Sequence, residues 1–560
     1  MKTKGLLLLT VMIMLFLSSK PIIASPSESK ITMTNSGQTI DLNWTSVPGS
    51  WGYNLYYADY SNPVLNKIDM GLSTKLQTTL PKDFTYYVAV KSYNGGGEGD
   101  YSNVIIIKGF TDQVNKIQYK YTDHIEFENA AQILHIAPID INNDGFKDIV
   151  LMNGAPGAPF QVYDNPFMFF INQGGTSFIK DDSFISGEFP YMIHPCEWEI
   201  ADFNGDGRDD LLVIGTGDES PPFLGEEAVL LLSDNNGMYN ASDQLNSGSV
   251  GKNGAASFKH GMSVGDVDGD GDIDIFIVSL LETNVHELLI NDGTGNFTSH
   301  PEMLIDKELY STWDKVANPK QPNANGDYIT QWVAEFVDVD TDGDLDLIVG
   351  RNNAPDQLFF NDGDGAFSSH IELPKSSFFK KYNNKVYTVG IWSTDLNYDG
   401  YMDIILSQTK HDPMDGFSRH LQVLINSGDG KTFYDESYRI PIKETDQWIR
   451  ILLLEDINND GHIDLIVSQY ATFNGPVVKN NEVLFINDGS GYFNTLPEKA
   501  MNNLTFWQGG EKLCPIDMDN DGIKEFVSTY FSENADWWFW KDNLGSTITR
   551  TLLWFKGTLN

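Results

Sequence analysis

Between residues 130 and 530, short apolar runs alternate with polar stretches rich in Gly, Asn and Asp, and one order of runs keeps returning. An apolar run opens each unit, as in Gln132–Ile136, Trp332–Val337 and Arg450–Leu454. An Asp-rich turn follows, and a second apolar run leaves it: Ile149–Leu151, Leu211–Ile214, Leu347–Val349, Ile404–Leu406. A third run ends in a tight turn, as in Leu288–Phe297, Leu358–Phe367 and Val483–Phe493. Runs this short, fenced by turn residues, predict strands rather than helices. The Asn-Asp-Gly and Gly-x-Phe elements at the turns predict hairpins. With a fourth strand after the hairpin, each unit becomes a four-stranded antiparallel sheet.

The Asp-rich turn counts the units. Seven nine-residue copies, Asp-x-Asp/Asn-x-Asp-Gly-x-x-Asp/Glu, begin 57 to 72 residues apart. That period marks a repeat architecture. Seven such sheets predict an all-β fold: a closed seven-bladed β-propeller over residues 111–560, which protects its strand edges by circular repetition. An open solenoid would need capping repeats, and none is seen.

The N-terminal part differs. Met1–Lys4 give a charged start, Gly5–Leu17 an apolar run, and Ala24 and Ser25 small residues suited to cleavage. That run is too short to cross a bilayer comfortably, so residues 1–25 predict a secretory signal peptide. No cysteine follows for a lipid anchor, and no later stretch is apolar enough to span a membrane. The protein is expected to be exported, soluble and monomeric, whether secreted, periplasmic or associated with the cell surface. Residues 30–108 alternate polar and apolar positions in Asp41–Trp44, and are rich in strand formers in Tyr53–Tyr57 and Tyr86–Val90.

Only two cysteines occur, Cys196 and Cys514, so this is no disulfide scaffold. A bridge between them would skip the first repeat, and two separate buried thiols are expected. The formal charge of −41 argues against nucleic acid and anionic membranes as partners. The acids are not in runs. Positions 1, 3, 5 and 9 of the seven motifs hold 24 carboxylates, and seven divalent ions would cancel 14 of those charges.

The motif suits calcium, which takes six to eight hard oxygen ligands in a forgiving geometry. Positions 1, 3 and 5 point inward on alternate residues, Gly at position 6 permits the turn, the carbonyl of position 7 adds an oxygen, and position 9 closes the site. The candidate ligands are Asp140, Asn142, Asp144 and Asp148; Asp202, Asn204, Asp206 and Asp210; Asp266, Asp268, Asp270 and Asp274; and Asp338, Asp340, Asp342 and Asp346. The last three copies supply Asp395, Asn397, Asp399 and Asp403; Asp456, Asn458, Asp460 and Asp464; and Asp517, Asp519, Asp521 and Glu525. Up to seven Ca2+ ions are expected, with a structural role. An EF-hand is excluded, since the Glu at position 12 is absent and strands flank the loop. No His or Cys sits at zinc or copper ligand spacing.

Two resemblances follow from these residues. Residues 30–108 resemble a fibronectin type III domain: Trp44 matches the core Trp of its second strand, Leu80 and Tyr86 its tyrosine corner, and Asn94–Asn103 its penultimate loop and last-strand entry. The resemblance implies a β-sandwich serving as spacer or adaptor. The seven motifs resemble the FG-GAP/VCBS repeats found in the integrin α-subunit propeller, with Asp202–Leu211 the cleanest match. The seventh copy departs by ending in Glu525.

In a four-stranded blade the motif joins the innermost strand to the second, so all seven loops share one face. Aromatic and imidazole residues recur at the opposite entry: His135, His194 with Trp198, His260, Trp332, Trp392, Trp448 and Trp507. These either pack between blades or rim a channel mouth, where an indole face suits a sugar ring. On the same face, the longest loops between second and third strands are expected at Asn153–Asn165, Gln408–His420 and Gln469–Asn481. Lys410, His411, Arg419 and His420 make the middle one the most basic spot, suited to an anionic sugar or simply solvated. The expected function is an extracellular glycan- or protein-binding module; the alternative is a lyase using His411 and Arg419 for β-elimination. No hydrolase or sialidase box is present.

Overall fold

The computed structural model describes residues 29–559, apart from 37–38, 60–64, 80–84, 100, 103–104, 109–116, 130–131, 155–166, 187–191, 218–224, 235–238, 243–244, 246–258, 280–285, 306–330, 383–384, 413–415, 443–447, 458–460, 471–483, 496–509, 523 and 532–547. The expected signal peptide lies outside the described residues. The chain divides into two compact units, Met1–Gln113 and Val114–Asn560. No helix among the described residues is long and apolar enough to cross a membrane.

The first unit holds two antiparallel sheets. Ile31–Ser36, Thr39–Trp44 and Lys75–Thr79 form one, and Asn66–Gly71, Gly52–Asp59, Thr85–Asn94, Gly97–Glu98 and Ile105–Lys108 the other. Trp44 is buried and meets Tyr53 edge-on at 6.1 Å. The side chains of Leu80 and Tyr86 lie outside the described residues.

The second unit is a propeller-like series of small antiparallel sheets, built mostly in chain order. The third sheet is representative: Lys259–Gly265, Asp274–Ser279, Glu287–Asn291 and Phe297–Ser299 lie side by side. Among the described residues six sheets follow this plan, the second carrying an extra strand, Ile185–Ser186, parallel to its fourth. The last sheet is completed differently. Its outer strand is Ile117–Asn129, from the start of the unit, which pairs along Ile548–Leu559.

Apolar side chains collect between neighbouring sheets. Val150, Phe167 and Phe169 of the first sheet pack with Val213, Leu231 and Tyr239 of the second. Ile149, Leu151 and Phe170 use the other face of the first sheet to pack with Cys514, Val527 and Leu552 of the last. Each second strand is therefore buried on both faces, and all seven residues of Asp148–Gly154 are buried. That is why these runs are continuously apolar instead of alternating. Both cysteines are buried and in no disulfide, Cys196 in the second sheet and Cys514 in the last.

Candidate metal centres and the opposite face

All seven motifs lie between the first and second strands of their sheets, at one end of the register. Each described loop is wound by its own carboxylates. Asp140 accepts the backbone N–H groups of Asp144 and Gly145 at 3.1 and 2.9 Å; Asp202, Asp266, Asp395 and Asp517 repeat this pair of bonds. Gly145, Gly207, Gly271, Gly343, Gly400, Gly461 and Gly522 at position 6 all have φ between 81° and 98°, as the sharp turn requires. Position 4 is also left-handed where described, through Asn143, Gly205, Gly269, Thr341, Tyr398 and Asn520. Asn458 and Asp460 lie outside the described residues.

The described loops differ at position 3, and in the second copy the Asn204 amide turns away to Ser233 O at 3.1 Å. In the first and fifth copies the amide of position 3 hydrogen-bonds position 5: Asn142 donates to Asp144 at 2.9 Å and Asn397 to Asp399 at 3.0 Å. Where position 3 is Asp, no such donor exists. Ligand oxygens of Asp266, Asp268 and Asp274 lie within 4.8 Å of one another, as do those of Asp338, Asp340 and Asp342, and of Asp517, Asp519 and Asp521. Buried oxygens of Asp268, Asp338 and Asp340 have no hydrogen-bond donor. Burial, then repulsion from Asp270 and Asp342, raises the carboxyls of Asp268 and Asp340 respectively. Converging, donorless, mutually repelling oxygens are the donor set a hard divalent cation satisfies.

Position 9 does more than close the loop. Asp148 accepts the N–H of Ile141 at 2.9 Å with one oxygen and that of Asn172, at the end of the third strand, at 2.6 Å with the other. The first bond recurs in all seven copies, including Glu525 to Met518. Burial pushes Asp148, Asp274, Asp346 and Asp403 up to about 7 and Asp210 to about 6. Asn172 in turn is a latch. Its amide donates to Lys147 O at 3.1 Å and to Met518 O, in the motif of the last sheet, at 2.8 Å. Asn291, Asn361, Asn426 and Asn487 likewise reach the position-2 carbonyls of the preceding sheets, Phe203, Val267, Val339 and Leu396. None of these asparagines has a positive φ; the following glycines do. Sequence reading assigned them to turn chemistry and missed the latch, although their fixed place in five repeats was its signal.

At the other end, every first strand carries a β-bulge six residues before its motif, centred on Leu134, Cys196, His260, Trp332, Val389, Arg450 and, in the last sheet, Glu511–Lys512. Bulges re-aim side chains. The expected rim residues fall out of step with it. Only His260 and Trp332 occupy the bulge. His135 is buried one residue past it, and His194 is buried against Thr216 at 2.7 Å. Trp198 and Trp392 lie nearer the motifs and pack on the cores beside them, as Trp332 also does on the core of the fourth and fifth sheets. The side chains of Trp448, His411 and Arg419 lie outside the described residues, as does Trp507 entirely.

His260 and Trp332 form a ladder with Tyr387, all half-buried. The His260 and Trp332 rings meet edge-on at 4.6 Å, Trp332 and Tyr387 at 5.2 Å. His260 Nδ1 is 3.2 Å from the Trp332 carbonyl. Gly261 makes the approach possible: a Cβ there would meet that carbonyl at 2.7 Å. Nearby, the expected loop Gln408–His420 is instead a hairpin, with Gln408 paired to His420 and His411 to Phe417 as the second and third strands of the fifth sheet continue outward. Asn153–Asn165 and Gln469–Asn481 lie largely outside the described residues.

Residues 202–277, 338–406 and 395–467 match the family model of the FG-GAP-like repeat, so the chain carries FG-GAP-like repeats. No curated protein matches it. Among solved structures it is similar to an Agrocybe aegerita lectin described as specifically recognising non-reducing terminal N-acetylglucosamine, at 14% identity, covering 74% of this chain and 96% of that one, with a TM-score of 0.43. A GH43 β-1,3-galactosidase with galactodeoxynojirimycin is similar at 11% identity, 57% and 95% coverage, and a TM-score of 0.29. The FN5 domain of Drosophila Lar is similar at 22% identity, 15% and 98% coverage, and a TM-score of 0.14.

Proposed function

We propose that Val114–Asn560 is a closed seven-bladed β-propeller with calcium in its motif loops, preceded by a fibronectin type III-like spacer. The protein is exported and binds a carbohydrate or protein ligand on the face opposite the loops. The ring reading is supported by the pairing of Ile117–Asn129 with Ile548–Leu559 and by the Asn172–Met518 bond. Donorless oxygens at Asp268, Asp338 and Asp340 support a cation. Calcium would neutralise these loops, with the aspartates of the third, fourth and seventh copies as the most heavily charged ligand sets.

The observation that carries ligand binding is the His260–Trp332–Tyr387 ladder. Three half-buried rings, two of them at in-register bulges, offer apolar faces to a pyranose and polar edges to its hydroxyls. A lyase reading has no comparable support, because the side chains of His411 and Arg419 lie outside the described residues. Glycan-array screening followed by calorimetry on Trp332→Ala tests the reading. Loss of binding with an unchanged melting temperature supports it. Retained affinity in Trp332→Ala removes the ladder from the site, and absence of glycan binding altogether leaves a protein ligand.

A further inference from the structure

The segment leading into Tyr387 is locally basic. Residues 373–394 hold four lysines and no carboxylate, in a chain whose Asp and Glu number 78 of 560. Lys375, Lys380, Lys381 and Lys385 are all exposed. They are carried by the short helix Ser377–Lys381 and its flanks, which enter the first strand of the fifth sheet on the face opposite the motifs.

The helix is fastened to the fold from beneath. Ser376 caps it, accepting the Phe379 N–H at 3.0 Å and donating to Gln408 Oε1 at 2.6 Å. Phe378 and Phe379 are buried with Val386, and Phe378 stacks on His420 at 5.3 Å. These contacts tie the helix to the fifth sheet's outward hairpin, which contributes its own cation. Lys381 Nζ lies 4.9 Å and Lys410 Nζ 5.1 Å from the centroid of the same Tyr382 ring, and Lys375 Nζ lies 5.6 Å from that of Phe379. Two ammonium groups from different elements are thus held over one half-buried ring. Each is steadied by the ring, and each raises the positive potential around it, which favours an anion nearby.

The platform adjoins the ladder. Lys385 lies two residues before Tyr387, whose ring meets Trp332. The ladder and the lysine-bearing segment are thus contiguous in the chain. We infer that the ligand of this face is an acidic polysaccharide, its sugar rings on His260, Trp332 and Tyr387 and its carboxylate or sulfate groups on the lysines around Tyr382. This rests on the carbohydrate reading above and names the class of sugar.

The experiment uses the full chain loaded with calcium and four probes: polygalacturonate oligosaccharides, heparin oligosaccharides, neutral gluco-oligosaccharides and duplex DNA. A triple variant, Lys380→Gln, Lys381→Gln and Lys410→Gln, is compared with Trp332→Ala, with melting temperatures checking the fold. The expected result is acidic-sugar binding that weakens with salt and falls roughly ten-fold or more in the triple variant, as loss of several ionic contacts requires. Polygalacturonate or heparin preference then distinguishes carboxylate from sulfate. Binding of neutral sugars alone, lost in Trp332→Ala but untouched in the triple variant, overturns the acidic ligand and leaves the carbohydrate reading standing. Equal binding of DNA overturns it too, reducing the platform to unspecific anion capture. Binding of none of the sugars overturns both.

Discussion

The side-chain amide of Asn172 donates to the carbonyl of Met518 at 2.8 Å, joining residues 346 positions apart. It is the same bond that Asn291 makes to Phe203 and Asn361 to Val267 between sheets adjacent in sequence. The contact between the first and last sheets is therefore built like the four between the second and sixth sheets. Asn172→Ala would strand the Met518 carbonyl and the Gly175 N–H that Asn172 accepts. It is expected to cost about 1–3 kcal/mol, the range for a lost buried hydrogen-bonding group. Urea unfolding of Asn172→Ala and Asn361→Ala should give similar losses. A loss confined to Asn361→Ala would mean that the first and last sheets do not meet.

Calcium should change sign with the residue at position 3. Asp268→Asn imports the arrangement of Asn142, whose amide donates to Asp144 at 2.9 Å. Without calcium it removes a half-buried carboxylate with one donorless oxygen, repelled by Asp270, and should raise the melting temperature. With calcium it removes a charged ligand and should lower both affinity and stability. Scanning calorimetry in excess chelator and in excess calcium checks this; shifts of the same sign in both would count against a cation in that loop.

Thr341 holds a β-branched side chain at φ 61°. Equivalent positions use Asn143, Gly205, Gly269 and Asn520, which tolerate that region better. Thr341→Gly or Thr341→Asn is expected to stabilise by about 1 kcal/mol, read as a raised denaturation midpoint. Tyr398 stands in the same place with φ 58°, but its hydroxyl accepts the Ile463 N–H at 2.6 Å from the next sheet. Tyr398→Gly should therefore destabilise.

Glu335 on the first strand of the fourth sheet gives a pH dependence. Burial, then repulsion from Glu199, raises its carboxyl from 4.5 to about 8, against a 3.1 Å bond donated by Ser393. Between those values the folded state binds the proton that the unfolded chain releases, so stability falls as pH rises through the window. Glu335→Gln should match the parent in stability below about pH 4.5 and exceed it most above about pH 8. Parallel melting curves for the two proteins across that range would contradict this.

Much of the fold was legible because it repeats. Seven equal motifs, each between apolar runs, state strand order and sheet number without reference to tertiary contacts. Position 6 was legible too, because a sharp turn leaves glycine as the natural residue. The metal loops were less evenly legible: all seven look alike in sequence, but the structure gathers oxygens in the copies with Asp at position 3 and ties off Asn142 and Asn397.

The opposite face was the least legible. His135, Trp198, His260, Trp332 and Trp392 look equivalent as large residues ahead of a motif, yet a bulge at one register position separates His260 and Trp332 from the rest. Side-chain direction on a strand alternates with every residue, and one extra residue inverts it. No periodicity in the sequence announces where that extra residue falls. The hairpin at Gln408–His420, and the helix that brings Lys381 and Lys410 to one ring, depend likewise on packing between segments far apart in the chain. By itself the sequence determined the repeated sheet, the acidic loop at its turn and the number of copies, because these are local and periodic. Only the tertiary structure decided which residues share a face and how the first sheet meets the last, because bulges and latches act between strands that are not neighbours in sequence.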